Sequence, residues 1–314
     1  MGLNGREIMQ NGYVLNAAEH LLPQLWLSPF TAHDLHINRH APASEKFGSY
    51  IQKRFSEYKA YFTKSGRHAL YEALADLNLQ PTDTVSIITT SGNLYVSSCV
   101  TGEVEKFCVW DRAITEKTKV ILLNHEFGFT HDNAADYKKY NLPIIEDCAY
   151  SFNSNNVAGT AGHTGDYVVF SMPKFFPVQT GGLLLSKNEL TLKTPLEESE
   201  LDYLKNSLGH HVESIDWMCQ KRLENYAYAT QKLNDLGATP RFIAGGANVP
   251  GVFMFNLPPS LDAARLKTFF YRQGVECSVF YGEQAFFLPC HHKITAQDID
   301  YFYEILKYFI HHSD

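Results

Sequence analysis

Residues 142–186 read LPIIEDCAYSFNSNNVAGTAGHTGDYVVFSMPKFFPVQTGGLLLS. Three apolar runs punctuate this stretch, at 142–147, 166–172 and 181–186. They are continuous rather than alternating, as expected of strands buried on both faces of a parallel sheet. Working outward, similar runs at 84–89, 104–110 and 119–123 predict further strands. Between the runs lie helical patterns. Residues 66–78 carry Ala69, Leu70, Ala73, Leu74 and Leu77, the i, i+3/i+4 stripe of an amphipathic helix, and 133–140 carry a shorter one. Strands alternating with helices predict an α/β domain with right-handed crossovers.

After Ser186 the pattern changes. Residues 189–211 are polar and read as a connection with irregular helix; 215–236 read as a long helix. A strand at 252–257, a helix at 261–273, a strand near 275–280 and a final helix from Thr295 follow, with Thr295 and Asp298 spaced as a capping box. The expected organisation is an N-terminal extension over 1–45, a major domain over 46–190, a connection over 191–214 and a small C-terminal α/β domain over 215–314. A chain of 314 residues suits two domains.

With 45% hydrophobic and 19% charged residues the composition is that of a globular protein, not a disordered one. The formal charge of -7 argues against nucleic acid as a partner. No apolar run reaches the ~18 residues of a membrane span, and MGLNGREIMQ at the N-terminus lacks a signal-peptide core. The six cysteines show no C-x-x-C spacing and read as reduced thiols of a cytoplasmic protein. Aromatic residues, at 13%, are abundant.

Three features fall where an α/β fold places ligands, at strand carboxyl ends and helix N-termini. Lys64-Ser65-Gly66-Arg67-His68 opens a helix, whose free N–H groups suit a phosphate, although a glycine before a helix is more often plain capping. Glu146-Asp147 ends a strand; alternation puts the two carboxylates on opposite faces, so at most one serves a given site. Phe170-Ser171-Met172-Pro173-Lys174, followed by Gly181-Gly182, sets a lysine just past a buried strand.

In this order the three features resemble the fold-type I pyridoxal-phosphate (PLP) enzymes, and among them the DegT/DnrJ-type sugar aminotransferases. Ser65-Gly66-Arg67-His68-Ala69-Leu70 is similar to the family's Ser-Gly-Thr-x-Ala-Leu. Glu146-Asp147-Cys148-Ala149-Tyr150 is similar to its Glu-Asp-Ala-Ala-Gln. Gly165-Asp166, Phe170-Ser171, Lys174 and Gly181-Gly182 match its later block, and residues 288–295 its C-terminal segment. The resemblance implies a three-layer α/β/α fold-type I major domain with a smaller C-terminal α/β domain. It implies pyridoxal 5'-phosphate as cofactor, with Lys174 joined to its aldehyde carbon, Asp147 paired with its ring nitrogen and Ser65, Gly66, Arg67 and Ser171 at its phosphate. Tyr95 is the candidate to stack on the ring, and Tyr150 stands where a Gln or His approaches the phenolic oxygen. The chemistry of these side chains agrees with such roles: a carboxylate keeps a ring nitrogen protonated, and a lysine amine is nucleophile and proton carrier.

The implied function is transfer of an amino group from an amino acid donor to a keto sugar, nucleotide-linked, in polysaccharide biosynthesis, by a cytoplasmic homodimer with no metal. Departures keep two alternatives open. Arg67 replaces a small residue, the loop from Phe170 to Lys174 is two residues shorter than usual, and the family's Gly-x-Asn-x-Arg segment is reduced to Gly209-His210-His211. These leave room for another PLP reaction, such as a lyase or dehydratase, or for a catalytically diverged member with a binding or regulatory role. Lys174 disfavours the dehydratase branch, where that lysine is replaced. His33, His36 and His40 fall in a Pro-flanked loop without nearby cysteines and are not read as metal ligands.

Overall fold

The computed structural model describes residues 24–312. Most of the expected N-terminal extension, 1–45, lies outside the described residues. The chain divides into two compact units, Pro29–Asp216 with Gly245–Val249, and Trp217–Ala244 with 24–28 and the chain from Pro250 on.

The larger unit begins with helices α1 (Ala32–Arg39) and α2 (Lys46–Arg54), then strand β1 (Lys59–Thr63) and helix α3 (Gly66–Asp76). It continues through β2 (Thr84–Thr89), α4 (Ser98–Val104), β3 (Val109–Asp111), β4 (Thr118–Asn124), β5 (Ile144–Asp147), β6 (Tyr167–Ser171), β7 (Gly182–Ser186) and α5 (Glu198–His211). The sheet order is β1-β7-β6-β5-β4-β2-β3. The strands from β6 to β3 pair in parallel, and β7 runs antiparallel to both β6 and β1. This is the parallel-dominated α/β sheet that the apolar runs predicted.

Both faces are covered, which is why the runs are continuous. Val120 and Leu122 of β4 pack with Ile145 and Val169 against Ala69, Leu70, Ala73 and Leu74 of α3. Their neighbours Ile121 and Leu123 face the other way, onto Ile144 and Ala134. An aromatic cluster adds to the core: Phe47 of α2, Phe152, Phe170, Phe175 and Phe176 meet at centroid distances of 4.9 to 6.0 Å. Part of the aromatic surplus is thus core, stabilised by edge-to-face geometry as well as by area.

Three readings need correction. Residues 104–110 are not one strand: α4 ends at Val104 and β3 starts at Val109. Val100 and Val104 pack on the α3 side of the sheet, so tertiary burial overrides the strand preference of these residues. His33 and His36 lie not in a loop but in α1, which a Thr31–Asp34 capping box starts. Residues 198–211, read as irregular, form the regular 14-residue helix α5.

The smaller unit contains α6 (Ile215–Leu233) from Trp217 on, β8 (Thr239–Pro240), β9 (Val252–Asn256), α7 (Ala263–Arg272), β10 (Ser278–Phe280), β11 (Ala285–Pro289) and α8 (Ala296–His311). Its strands form an antiparallel sheet, β10-β11-β9-β8. The Thr295–Asp298 capping box of α8 is present, with Thr295 N and Oγ1 2.8 and 2.7 Å from the Asp298 carboxylate. Among the described residues no helix is long and apolar enough to cross a membrane.

Candidate active site

The carboxyl ends of β4, β5 and β6 and the N-terminus of α3 carry the candidate residues. Ser65 caps α3, its hydroxyl accepting from the His68 N–H at 3.3 Å and meeting His68 Nδ1 at 2.9 Å. By helix geometry the N–H groups of Gly66 and Arg67 have no acceptor within the helix. Gly66 is where it is because nothing larger fits: a Cβ there would lie 2.9 Å from Ser171 Cβ. A Cβ on Gly182 would lie 2.3 Å from the Ser65 carbonyl. The helix start, the end of β6 and the glycine pair are therefore one construction, closed by the Gly181 N–H on the Lys64 carbonyl at 2.9 Å.

The neighbours Glu146 and Asp147 do opposite things, as strand alternation requires. Glu146 is fully buried and accepts from the N–H groups of Gly162, Thr164 and Gly165 at 2.7 to 2.8 Å. It also bonds His125 Nε2 at 2.9 Å. Because His125 Nδ1 accepts the His131 N–H at 3.1 Å, the ring proton sits on Nε2 and points at Glu146. Burial alone would raise the Glu146 pKa; the His125 contact and the N–H donors outweigh it and hold it low. His125, Glu146 and Cys148 lie close enough to suggest a metal cluster. The Glu146 oxygens and both His125 nitrogens are already engaged, so they offer an ion nothing.

Asp147 is buried too, but differently. Its oxygens accept from Asn124 Nδ2 and the Ala149 N–H, each at 3.0 Å. Burial raises its pKa, only partly offset by these donors. A desolvated carboxyl held without a bonded cation is suited to a positively charged group arriving from outside. Asn124, at the end of β4, was not singled out in the sequence; its only signal is its place directly after the run 120–123.

Lys174 follows β6 in a single helical turn, Met172–Lys174. Its Nζ donates to the Tyr150 hydroxyl at 3.0 Å and lies 4.7 Å from the centre of that ring. Tyr150 packs on Phe127, ring centres 5.1 Å apart, and Phe127 adopts a left-handed φ of 53°. Non-glycine residues enter that region at a cost, so this backbone is held by its surroundings.

The structure thus groups Ser65, Gly66 and Ser171, and groups Lys174 with Tyr150. Arg67 turns toward α4, its Nη2 2.8 Å from Cys99 Sγ and its Nε 3.8 Å from Glu103. Tyr95 lies further out, 41% exposed, beyond a loop that Arg112 ties down through the Thr89 hydroxyl and Asn93 carbonyl, each at 2.7 Å. Gly209 and His211 face inward: a Cβ on Gly209 would meet Ser44 Oγ at 2.4 Å, and His211 Nε2 bonds Asn38 Oδ1 at 2.8 Å.

Comparison with known proteins bears on the fold and on one segment of the chain. A "Pleiotropic regulatory protein" of Geobacillus stearothermophilus is 24% identical over 286 residues, covering 74% of this chain and 75% of that one. Two solved structures share the fold. An aminotransferase from Streptoalloteichus hindustanus superposes with a TM-score of 0.73 at 14% identity, over 94% of this chain and 100% of its own. An E. coli GDP-4-keto-6-deoxy-D-mannose-3-dehydratase with bound hydrated PLP has a TM-score of 0.69 at 13% identity, over 91% and 100%. Residues 108–195 match the model of the DegT/DnrJ/EryC1/StrS aminotransferase family, so the segment that holds Asp147, Ser171 and Lys174 is similar to that family.

Proposed function

We propose that the chain is a PLP-dependent aminotransferase that moves an amino group from an amino acid donor to a nucleotide-linked keto sugar in glycan biosynthesis. We further propose that it works in the cytoplasm as a homodimer. The observation that carries the reading is Asp147: a buried carboxyl with no cation bonded to it among the described residues, at the sheet end to which the sequence motifs also assign Lys174 and the Ser65–Gly66–Ser171 turn. These residues fit the cofactor by charge and by space. Asp147 suits a protonated ring nitrogen; the Ser171 hydroxyl and the first N–H groups of α3 suit a phosphate, and the Gly66 side leaves no Cβ in the way.

In this assignment Asp147 holds the proton on the ring nitrogen, and Asn124 fixes the carboxyl's orientation through its 3.0 Å bond. Ser171, Gly66 and the helix start bind the phosphate, with Ser65 contributing mainly by capping α3. Bound PLP supplies an electron sink for the carbon beside the amino group. Lys174 would hold it, and its amine, when free, would take the proton from the donor's Cα. Tyr150 and Tyr95 border the ring in this reading, and Arg67 reaches the phosphate only by leaving Cys99.

The test is direct. Purified protein mixed with PLP should develop a visible absorption band, and borohydride should fix the cofactor to the peptide containing Lys174. Glutamate or another amino donor should then bleach the band. A protein that takes up no PLP refutes the reading. Uptake without bleaching by any donor points to another PLP reaction or to a diverged regulatory member.

A further inference from the structure

The contact between Tyr150 and Lys174 has a chemical meaning beyond lining a site. The Tyr150 hydroxyl accepts from Lys174 Nζ at 3.0 Å while the face of the same ring stands 4.7 Å from that nitrogen. Both interactions favour an ammonium over a neutral amine: a hydroxyl oxygen and a ring face each attract positive charge. The ring does not sit there by chance of rotamer. The turn that carries it is shaped by Asp147, whose Oδ1 accepts the Ala149 N–H at 3.0 Å, and Phe127 backs it at 5.1 Å from a left-handed backbone. A glutamine, one of the two residues the resembled family has at this place, offers a carbonyl but no ring face.

We propose that Tyr150 is a positioning residue that acts through Lys174: in the cofactor-free chain it holds the ammonium and sets how readily the free amine is released. The consequence for cofactor loading rests on the proposed PLP function, but the contact itself can be tested without it. Lys174 can react with a carbonyl carbon only as the neutral amine, after its proton has passed to solvent. Other ionisable groups at this end of the sheet include Asp147, the bonded His125–Glu146 pair, Cys148, Glu126 and His131, with Lys64, Arg67 and His68 at the start of α3.

The experiment uses the full-length, cofactor-free protein and acetic anhydride. The Lys174 nitrogen bonds to the acetyl carbon, acetate leaves and the amine proton goes to buffer. Peptide mass spectrometry follows acetylation of Lys174 against the exposed lysines as internal standards, across pH. In Tyr150→Phe, which keeps the ring and removes only the hydroxyl, acetylation of Lys174 should be about three- to tenfold faster near neutral pH. Its pH midpoint should fall by about half to one unit, with the high-pH plateau unchanged. Tyr150→Leu, which also removes the ring face, should shift the midpoint further. A Tyr150→Phe midpoint equal to wild type overturns the proposal. So does a higher plateau at an unchanged midpoint in Tyr150→Leu, because that reports access alone. The melting temperature of Tyr150→Phe serves as the folding control. PLP uptake measured in parallel separates the two ideas: wild type that never fixes PLP at Lys174 sinks the proposed function while the acetylation profiles still decide the role of Tyr150.

Discussion

Glu146 and Asp147 are adjacent in the chain, yet the same isosteric amide substitution should have opposite consequences at the two. Glu146→Gln replaces a carboxylate that takes four N–H donors, from Gly162, Thr164, Gly165 and His125, two on each oxygen. An amide has one oxygen. Whichever way it is turned, its NH2 faces two donors that no longer have an acceptor. The His125 ring cannot relieve this by moving its proton, because Nδ1 already accepts the His131 N–H. Each buried donor left unpaired costs about 1–3 kcal/mol, so the substitution should destabilise the cofactor-free protein by roughly 4 kcal/mol. Asp147→Asn keeps an oxygen for one of two donors and removes a charge that burial already disfavours, so its cost should stay within about 1 kcal/mol. Urea unfolding of the cofactor-free proteins measures both, provided that the slope is unchanged so that the midpoint reports stability. In the cofactor assay the order should invert: Asp147→Asn folds normally but loses activity with PLP. A Glu146→Gln protein within 1 kcal/mol of wild type would refute the reasoning, as would an Asp147→Asn protein equally destabilised.

Gly182→Ala should cost about 1–3 kcal/mol and lower the melting temperature, because the new Cβ meets the Ser65 backbone at 2.3 Å and backbone cannot step aside. Acid should destabilise the fold. Burial and the nearby His125 depress His131 to about 4, and burial depresses His291 to about 3. The unfolded chain therefore takes these protons first, and stability present above pH ~6.5 is lost as the pH falls toward 4, by about 3 kcal/mol for His131 alone. Urea midpoints measured at pH 7 and pH 4.5 check this; equal midpoints would contradict it. His131→Asn should flatten part of that dependence.

The sequence made much of this legible where local pattern and burial agree. Residues 84–89 form a strand over that same range, and the α8 capping box appears as spaced. Elements were misread where packing outvotes propensity: α4 holds Val100, Thr101 and Val104 in a helix because Val100 and Val104 are buried beside α3. Both helices carry a capping signal in the sequence, Thr31 with Asp34 at the start of α1 and Glu197 with Glu200 at the start of α5. In the candidate site, motif spacing singles out Asp147, Ser171 and Lys174. It could not reveal Asn124 or Phe127, because their roles depend on strand register and on a left-handed backbone that no residue type announces.

The place of β7 bears on how the protein is made. It is the strand that pairs β1 with the rest of the sheet, and Lys59 lies opposite Ser186 although more than a hundred residues separate them. Ser65 likewise meets Gly181 across a comparable stretch. While the chain emerges from the ribosome, β2 through β6 can assemble side by side, but β1 keeps a bare edge and the start of α3 lacks its bracing glycines. The turn at Ser65–Gly66 is therefore completed only after residue 186 has been synthesised, and the nascent chain carries an open strand edge, open to mispairing, until then.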